Sequence, residues 1–500
     1  MEIALRPYAT AGIALVGAGI IAVSPVAPPS AKIQVRLMAG ETVGLVIGGS
    51  GTPIPGTGYV NAADSLYIHP NVPDTTYPGV LANGLFTPEG LYPLDGINVL
   101  RLNYPAGSNG FPSQTTSVGQ GMTILDNNIK AQLADGNAVT VFGYSQSSTI
   151  ASLEMQQLDQ AGTPSDLPVN FVLIADPSNP NGGLLERFNG FETTSGTSNP
   201  LELNIPSMGI SFDGATPADD FHTSIYTLEY DGFADFPRYP LDFLSDLNAF
   251  LGIKELHGTY LNGGVDGSGP TAEQIANATL LPGSENSTTD PCASCLTNYY
   301  MIDETAPLVA LLPKPLQDLL GPDLTYLINL GYGADNLGYS DAPANIATPF
   351  GLFPDVDPTT VINALVAGAE QGWTAFMGDL SDPSAMASAL SSALSSAASS
   401  LAPTSVDPLT FSGIADAFSS ALSAANGGLS GLSDVVNALF TALPAYAADL
   451  FTTNLQSGDL LDAVGLPIAA TTALETLAAG FGLQIVTNTM SDIQAAFAGL

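Results

Sequence analysis

Two hydrophobic rhythms alternate along the first half of the chain. Short, nearly unbroken apolar runs predict strands: Glu41 to Pro53 runs into a glycine-rich turn, Ile97 to Gly107 ends in a turn, and further runs open Asn137 to Gly162, Val169 to Gly183 and Ser224 to Pro240. Between them apolar residues fall three or four apart. Ser117 to Gly136 places Met122, Leu125, Ile129 and Leu133 on one helical face, and Leu241 to Leu261 reads as a helix running into a loop. Buried strands alternating with amphipathic helices are what a mostly parallel sheet covered on both faces requires, so the pattern predicts an α/β fold.

The second half reads differently. Gly263 to Cys295 is polar and external, whereas apolar residues return from Thr297 to Phe353. Pro307, Pro313, Pro315 and Pro322 punctuate that stretch, which suits short helices laid over something rather than more sheet. Beyond about Asp355, Ala and Ser dominate segments such as AMASALSSALSSAASSLA, with Leu and Phe at helical intervals. One reading is a set of weakly charged amphipathic helices that pack on one another, coat a membrane or envelope surface, or meet a partner; the other is a loosely structured tail. The chain thus divides into a leader (1–31), a core (41–265), a lid or accessory segment (266–355) and a helical Ala/Ser-rich region (356–500).

The leader rests on Glu2 and Arg6 ahead of an apolar run from Tyr8 to Val23, followed by the helix-hostile Ser24 to Ala31. A signal peptide is the first reading and an uncleaved apolar helix the second, so export to the medium or the cell envelope is expected. Charge narrows the partners: 47 acidic against 9 basic residues give −38, with charged residues only 11% of the chain. Nucleic acid is thereby excluded as a partner, because backbone binding needs clustered Lys and Arg; an apolar or neutral substrate fits better. In an exported chain the only cysteines, Cys292 and Cys295, read most simply as a local disulfide, with free thiols or redox chemistry as alternatives. With three His and no knuckle spacing, no metal site is expected, and the four glycines between Gly44 and Gly51 match no phosphate-binding fingerprint.

Chemistry concentrates at VTVFGYSQSS, Val139 to Ser148. An apolar strand delivers Gly143, Tyr144 and Ser145, and a helix starts at once, as in a nucleophile elbow that presents a serine hydroxyl at a sheet edge. The glycine expected two residues after the serine is Ser147, a looser pattern. A serine needs a base. His69 sits in an irregular segment before the nucleophile and His222 starts a strand, whereas His257 follows both the serine and the acids, in the order usual for this arrangement. For the acid that orients the base, Asp235 comes first, Asp231 second and Asp176 third. The Gln146 N–H, at a helix start, is the natural first oxyanion donor, and Ser50 or Gly51 in the glycine-rich turn is closest in type for the second.

Taken together, GYSQSS, ADPSNPNGG, YDGFADFPRYP, NLGYG and TPFGLFP resemble the PE-PPE domain family of mycobacterial serine hydrolases, themselves similar to cutinases, from about Val43 to Phe353. This chain is read as opening on a leader, where the resemblance implies a long PE or PPE helical region. The resemblance implies an α/β-hydrolase fold without a cofactor and a Ser, Asp, His triad, with the nucleophile at Ser145, the acid in YDGFADFP and the base at His257. It implies an acyl ester or lipid substrate, cleaved by water or passed to a cell-envelope glycolipid, and a lid after Cys295. The alternative class is a non-catalytic envelope protein that keeps a hydrolase shell.

Overall fold

The runs AVTVFGY and VNFVLI lack polar alternation because both are buried along their whole length, one as Ala138–Tyr144 and the other as Val169–Ile174. A computed structural model of the chain describes residues 41–49, 52, 55–73, 75–76, 117–159, 165–188, 214–264, 267–380, 436, 439–440, 443–476 and 478–479, all within the unit Ala31–Leu500. The leader and the strand expected at Ile97 to Gly107 lie outside these residues.

Among the described residues seven strands form one sheet: β1 (Thr42–Val46), β2 (Thr75–Thr76), β3 (Ala138–Tyr144), β4 (Val169–Ile174), β5 (His222–Leu228), β6 (Thr279–Leu280) and β7 (Thr297–Ile302), in the order β2-β1-β3-β4-β5-β7-β6. All neighbours are parallel except β6 and β7. Register aligns Val141 with Leu45 on one side and Phe171 on the other, and alternate residues then feed two separate cores. Val139, Val141, Phe171 and Leu173 pack with Val118, Met122, Leu125 and Ile129 of α2 (Ser117–Ala134) and Ile150 and Leu153 of α3 (Gln146–Leu158). On the other face Phe142, Tyr144, Val172 and Ile174 meet Tyr67, Ile68 and Tyr260, next to α1 (Thr57–Ala63) and the π-helical turn Asp64–Ile68. This is the expected α/β architecture, with helices over a mostly parallel sheet.

The sheet does not stop at residue 265. Thr297–Ile302, in the stretch expected to hold only short helices, is β7 and runs beside β5 from Thr223 opposite Thr297 to Leu228 opposite Ile302. The same stretch contains α5 (Lys314–Leu330), one continuous helix despite its prolines. Pro315 lies in the first turn, where no N–H is needed. Pro322 is interior, and the Asp318 carbonyl it leaves without a helical donor is where α6 (Pro358–Leu380) approaches: a Cβ on Gly372 would stand 2.1 Å from Leu319 O and 3.1 Å from Asp318 O. The Ala/Ser-rich end also joins the body. Leu443 and Tyr446 of α7 (Leu443–Ser457), with Ala470, Ala473 and Leu474 of the helical residues 460–476, pack on Phe188, Phe233, Phe236 and Phe350.

One buried carboxyl under this sheet sets a pH dependence of stability. Glu154 on α3 is fully buried. Burial, reinforced by the negative charge and side-chain bond of Asp126, pushes its carboxyl up to about 9. The folded chain therefore keeps this proton at neutral pH while the unfolded chain releases it near 4.5, so stability falls as pH rises through that window. Glu154→Gln is expected to raise the unfolding free energy by about 2 kcal/mol at pH about 8 and to leave it unchanged at pH about 4. Urea midpoints at the two pH values check this; a gain of equal size at both would contradict it.

Candidate active site

Strands β3, β4 and β5 all end on one edge, and the chain turns there three times. At the end of β3 Ser145 takes φ 57° and ψ −120° before opening α3, a left-handed conformation that costs a non-glycine residue on the order of 1–3 kcal/mol. Gly143 makes this turn possible, because a Cβ there would lie 2.8 Å from Ser147 O and 2.9 Å from the Ser148 backbone. Ser147, standing where a glycine was expected, is fully buried and ties the turn together. Its Oγ accepts the Tyr144 N–H at 2.7 Å and lies 3.0 Å from Tyr144 O and 3.2 Å from Ile47 O, to which its single proton can be donated. Ser148 Oγ donates to Ile174 O at 2.9 Å, fastening the same turn to β4. The role of these hydroxyls was missed in the sequence; the signal was a small polar residue in a turn with main-chain groups to satisfy.

His257 follows α4 (Phe243–Glu255) and is brought to the turn by Tyr144, whose O–H donates to His257 O at 2.5 Å. Its Nε2 lies 2.7 Å from Ser145 Oγ. Its Nδ1 lies 2.9 Å from both carboxylate oxygens of Asp231, so Nδ1–H points at the acid and Nε2 keeps a lone pair for the serine proton. Phe233 covers the ring edge-on with centroids 4.5 Å apart. Asp231 is fully buried; besides the imidazole it accepts the Phe233 N–H at 3.1 Å and the Tyr260 O–H at 2.7 Å. Three donors on one buried carboxylate fix its direction. The result is a buried Ser145–His257–Asp231 chain of hydrogen bonds with the geometry of a serine-hydrolase triad.

The acid expected first is corrected by this geometry. Asp235 is also fully buried, yet its Oδ2 accepts the Tyr230 N–H at 3.0 Å and its Oδ1 has no partner. Burial raises its carboxyl well above the ordinary value, the opposite of what an orienting carboxylate needs. Asp235 braces the turn, and Asp231, expected second and following Tyr230 at φ 66°, faces the histidine. Asp176 closes another turn, with Ser178 N–H at 3.0 Å on Oδ1 and Thr216 O–H at 2.6 Å on Oδ2; burial pushes it up to about 6. His69 is exposed in the short helix His69–Asn71, and His222 lies at the opposite end of β5 from the site, 3.8 Å from Glu285.

Gln146 is the first residue of α3, where the positive end of the helix meets the turn. Ser50 and Gly51 lie outside the described residues. The loop that leads to them does pass the site, since a Cβ on Gly49 would be 3.1 Å from Tyr144 O and 3.6 Å from Ser145 Cβ. Cys292 and Cys295 are joined as a disulfide, and Asn345 Nδ2 lies 3.5 and 3.4 Å from their sulfurs, away from the triad. Among the described residues no group of three His, Cys, Asp or Glu is arranged to hold a metal.

The family model described as the PE-PPE domain matches residues 78–333. An uncharacterised PPE family protein of Mycobacterium tuberculosis, PPE28, is 40% identical over 91% of this chain and 67% of its own length. The protein named Esterase PE16 of the same organism is 39% identical over 67% of this chain and 56% of its own. The PE family protein PE3, also from that organism, is 38% identical over 66% and 61%. Aligned residues thus make up between about half and two thirds of these relatives.

Proposed function

This chain belongs to the PE-PPE domain family, and on that premise we propose that it cleaves acyl esters through an acyl-enzyme formed on Ser145. The observation that carries the reading is the continuous hydrogen-bond path from Ser145 Oγ through His257 to Asp231. His257 Nε2 takes the hydroxyl proton as Oγ attacks the ester carbonyl, and Asp231 stabilises the imidazolium so formed. The Gln146 N–H, at the positive end of α3, holds the oxyanion. Collapse expels the alcohol, which takes the proton from His257 and leaves the acyl group on Ser145. Water, activated by the same histidine, releases the acid; a sugar hydroxyl in its place gives acyl transfer.

An exposed apolar stripe supports work at a lipid or envelope surface. Ile362, Val366, Trp373 and Met377 are exposed on one flank of α6, an apolar stripe set beside the face that packs on α5. No described helix is long and apolar enough to cross a membrane. Export from the cell rests on the apolar leader. The test is release of p-nitrophenol from a series of acyl esters, with and without a sugar acceptor. The expected outcome is turnover that peaks at one chain length, and the share of acylated sugar then separates transfer from hydrolysis. Folded protein that cleaves no ester of any length, and acylates no acceptor, would overturn the reading.

A further inference from the structure

Asp231 takes two of its donors from its own loop neighbourhood and the base, but the third comes from a residue with no place in the sequence-level triad. Tyr260 lies three residues past His257, is fully buried, and directs its O–H at Asp231 Oδ2 at 2.7 Å. The same phenol oxygen accepts the Leu228 N–H at 2.9 Å. That second bond fixes the direction of the first: a phenol has one proton, and with Leu228 occupying the acceptor side the proton is left for the carboxylate. The residue itself is held from behind, since its main-chain oxygen accepts the Tyr67 O–H at 2.9 Å and its ring lies 5.6 Å from that of Tyr144.

We propose that Tyr260 is a positioning residue for the triad, whose fixed phenol proton draws charge from Asp231 and so sets how firmly His257 holds a proton. The inference rests on the hydrolase reading above. A carboxylate shared among three donors offers less of its charge to the imidazolium than one shared between two. Burial and the charge of Asp231 raise the Tyr260 phenol well above its ordinary value, so it stays a neutral donor throughout the working range. The other groups that face the pair are accounted for. Tyr144 donates to the main-chain oxygen of His257 rather than to its ring, Phe233 presents a ring edge, Ser145 holds Nε2, and Asp235 spends its bonded oxygen on Tyr230.

The experiment measures the second-order rate at which an alkyl fluorophosphonate labels Ser145, as a function of pH, in the full chain. Three forms are compared: wild type, Tyr260→Phe, and a chain carrying 3-fluorotyrosine at position 260, which is nearly isosteric and a stronger donor. Removing the donor is expected to move the acidic limb of the profile up by about half a pH unit, and strengthening it to move the limb down. A merely structural tyrosine would lower the melting temperature on substitution by Phe without moving the limb. Should the Phe form not fold, the fluorinated form decides alone. Limbs that coincide in the folded forms, or that shift in the same direction for both substitutions, overturn the proposal. Failure of wild type to label at all would instead remove the hydrolase reading on which it stands.

Discussion

Replacing Ser145 by Ala is expected to lower kcat for an acyl ester about a millionfold, leaving only what binding and oxyanion donors contribute. The size of the loss follows from the bond path. Without Oγ there is no atom to receive the acyl group, and His257 Nε2, now 2.7 Å from nothing it can deprotonate, serves at most as a weak base for water. The fold should not change with it. The strained backbone at φ 57° is imposed by the absence of a side chain at Gly143 and by the hydroxyl of Ser147, both untouched by the substitution. Initial rates together with thermal melts check the prediction; a Ser145→Ala form retaining more than a few per cent of activity would identify another nucleophile.

Asp231→Asn is expected to cost about 10⁴ in kcat, close to 5.5 kcal/mol, whereas Asp235→Asn should stay within about tenfold of wild type. An amide at position 231 can present an N–H to Nδ1, which favours the tautomer whose proton sits on Nε2 and points at the serine instead of accepting from it. It also leaves the developing imidazolium without a facing charge in a fully buried site. At position 235 the bonded oxygen serves only the Tyr230 N–H, a task the carbonyl of Asn performs equally well. Side-by-side kcat values separate the two acids, and a larger loss at 235 than at 231 would refute the assignment.

That contrast marks where the sequence stopped being readable. Ser145 could be found because its turn needs a strand, a glycine and a helix within a few residues, all of them local features. His257 could be found by order and elimination, with two other histidines to discard. The acid could not. Asp231 and Asp235 stand in one turn, and which of them faces the base is decided by Tyr230 at φ 66° and by the Tyr230 N–H that claims Asp235, geometry that spacing does not encode. Strands β3 and β4 were legible as unbroken apolar runs. TNYYMI was not, because its polar and aromatic residues, mostly buried in a strand paired with β5 and β6, look like surface in a proline-punctuated stretch. In α5 the prolines suggested broken pieces, yet one falls in the first turn and the other where Gly372 of α6 comes close. For the Ala/Ser-rich end, composition favoured amphipathic helices but left a loose tail open. Ala470 and Ala473 show how small residues let that helix lie directly against the aromatic cluster beside Phe233.

The most direct test of the account is to incubate the chain with an alkyl fluorophosphonate and locate the adduct by peptide mass spectrometry. One adduct per chain on the peptide holding Ser145, absent from Ser145→Ala and formed far more slowly in Asp231→Asn, is the expected result. Stoichiometric labelling at another residue, or folded protein that takes up no label, would contradict a triad built from Ser145, His257 and Asp231.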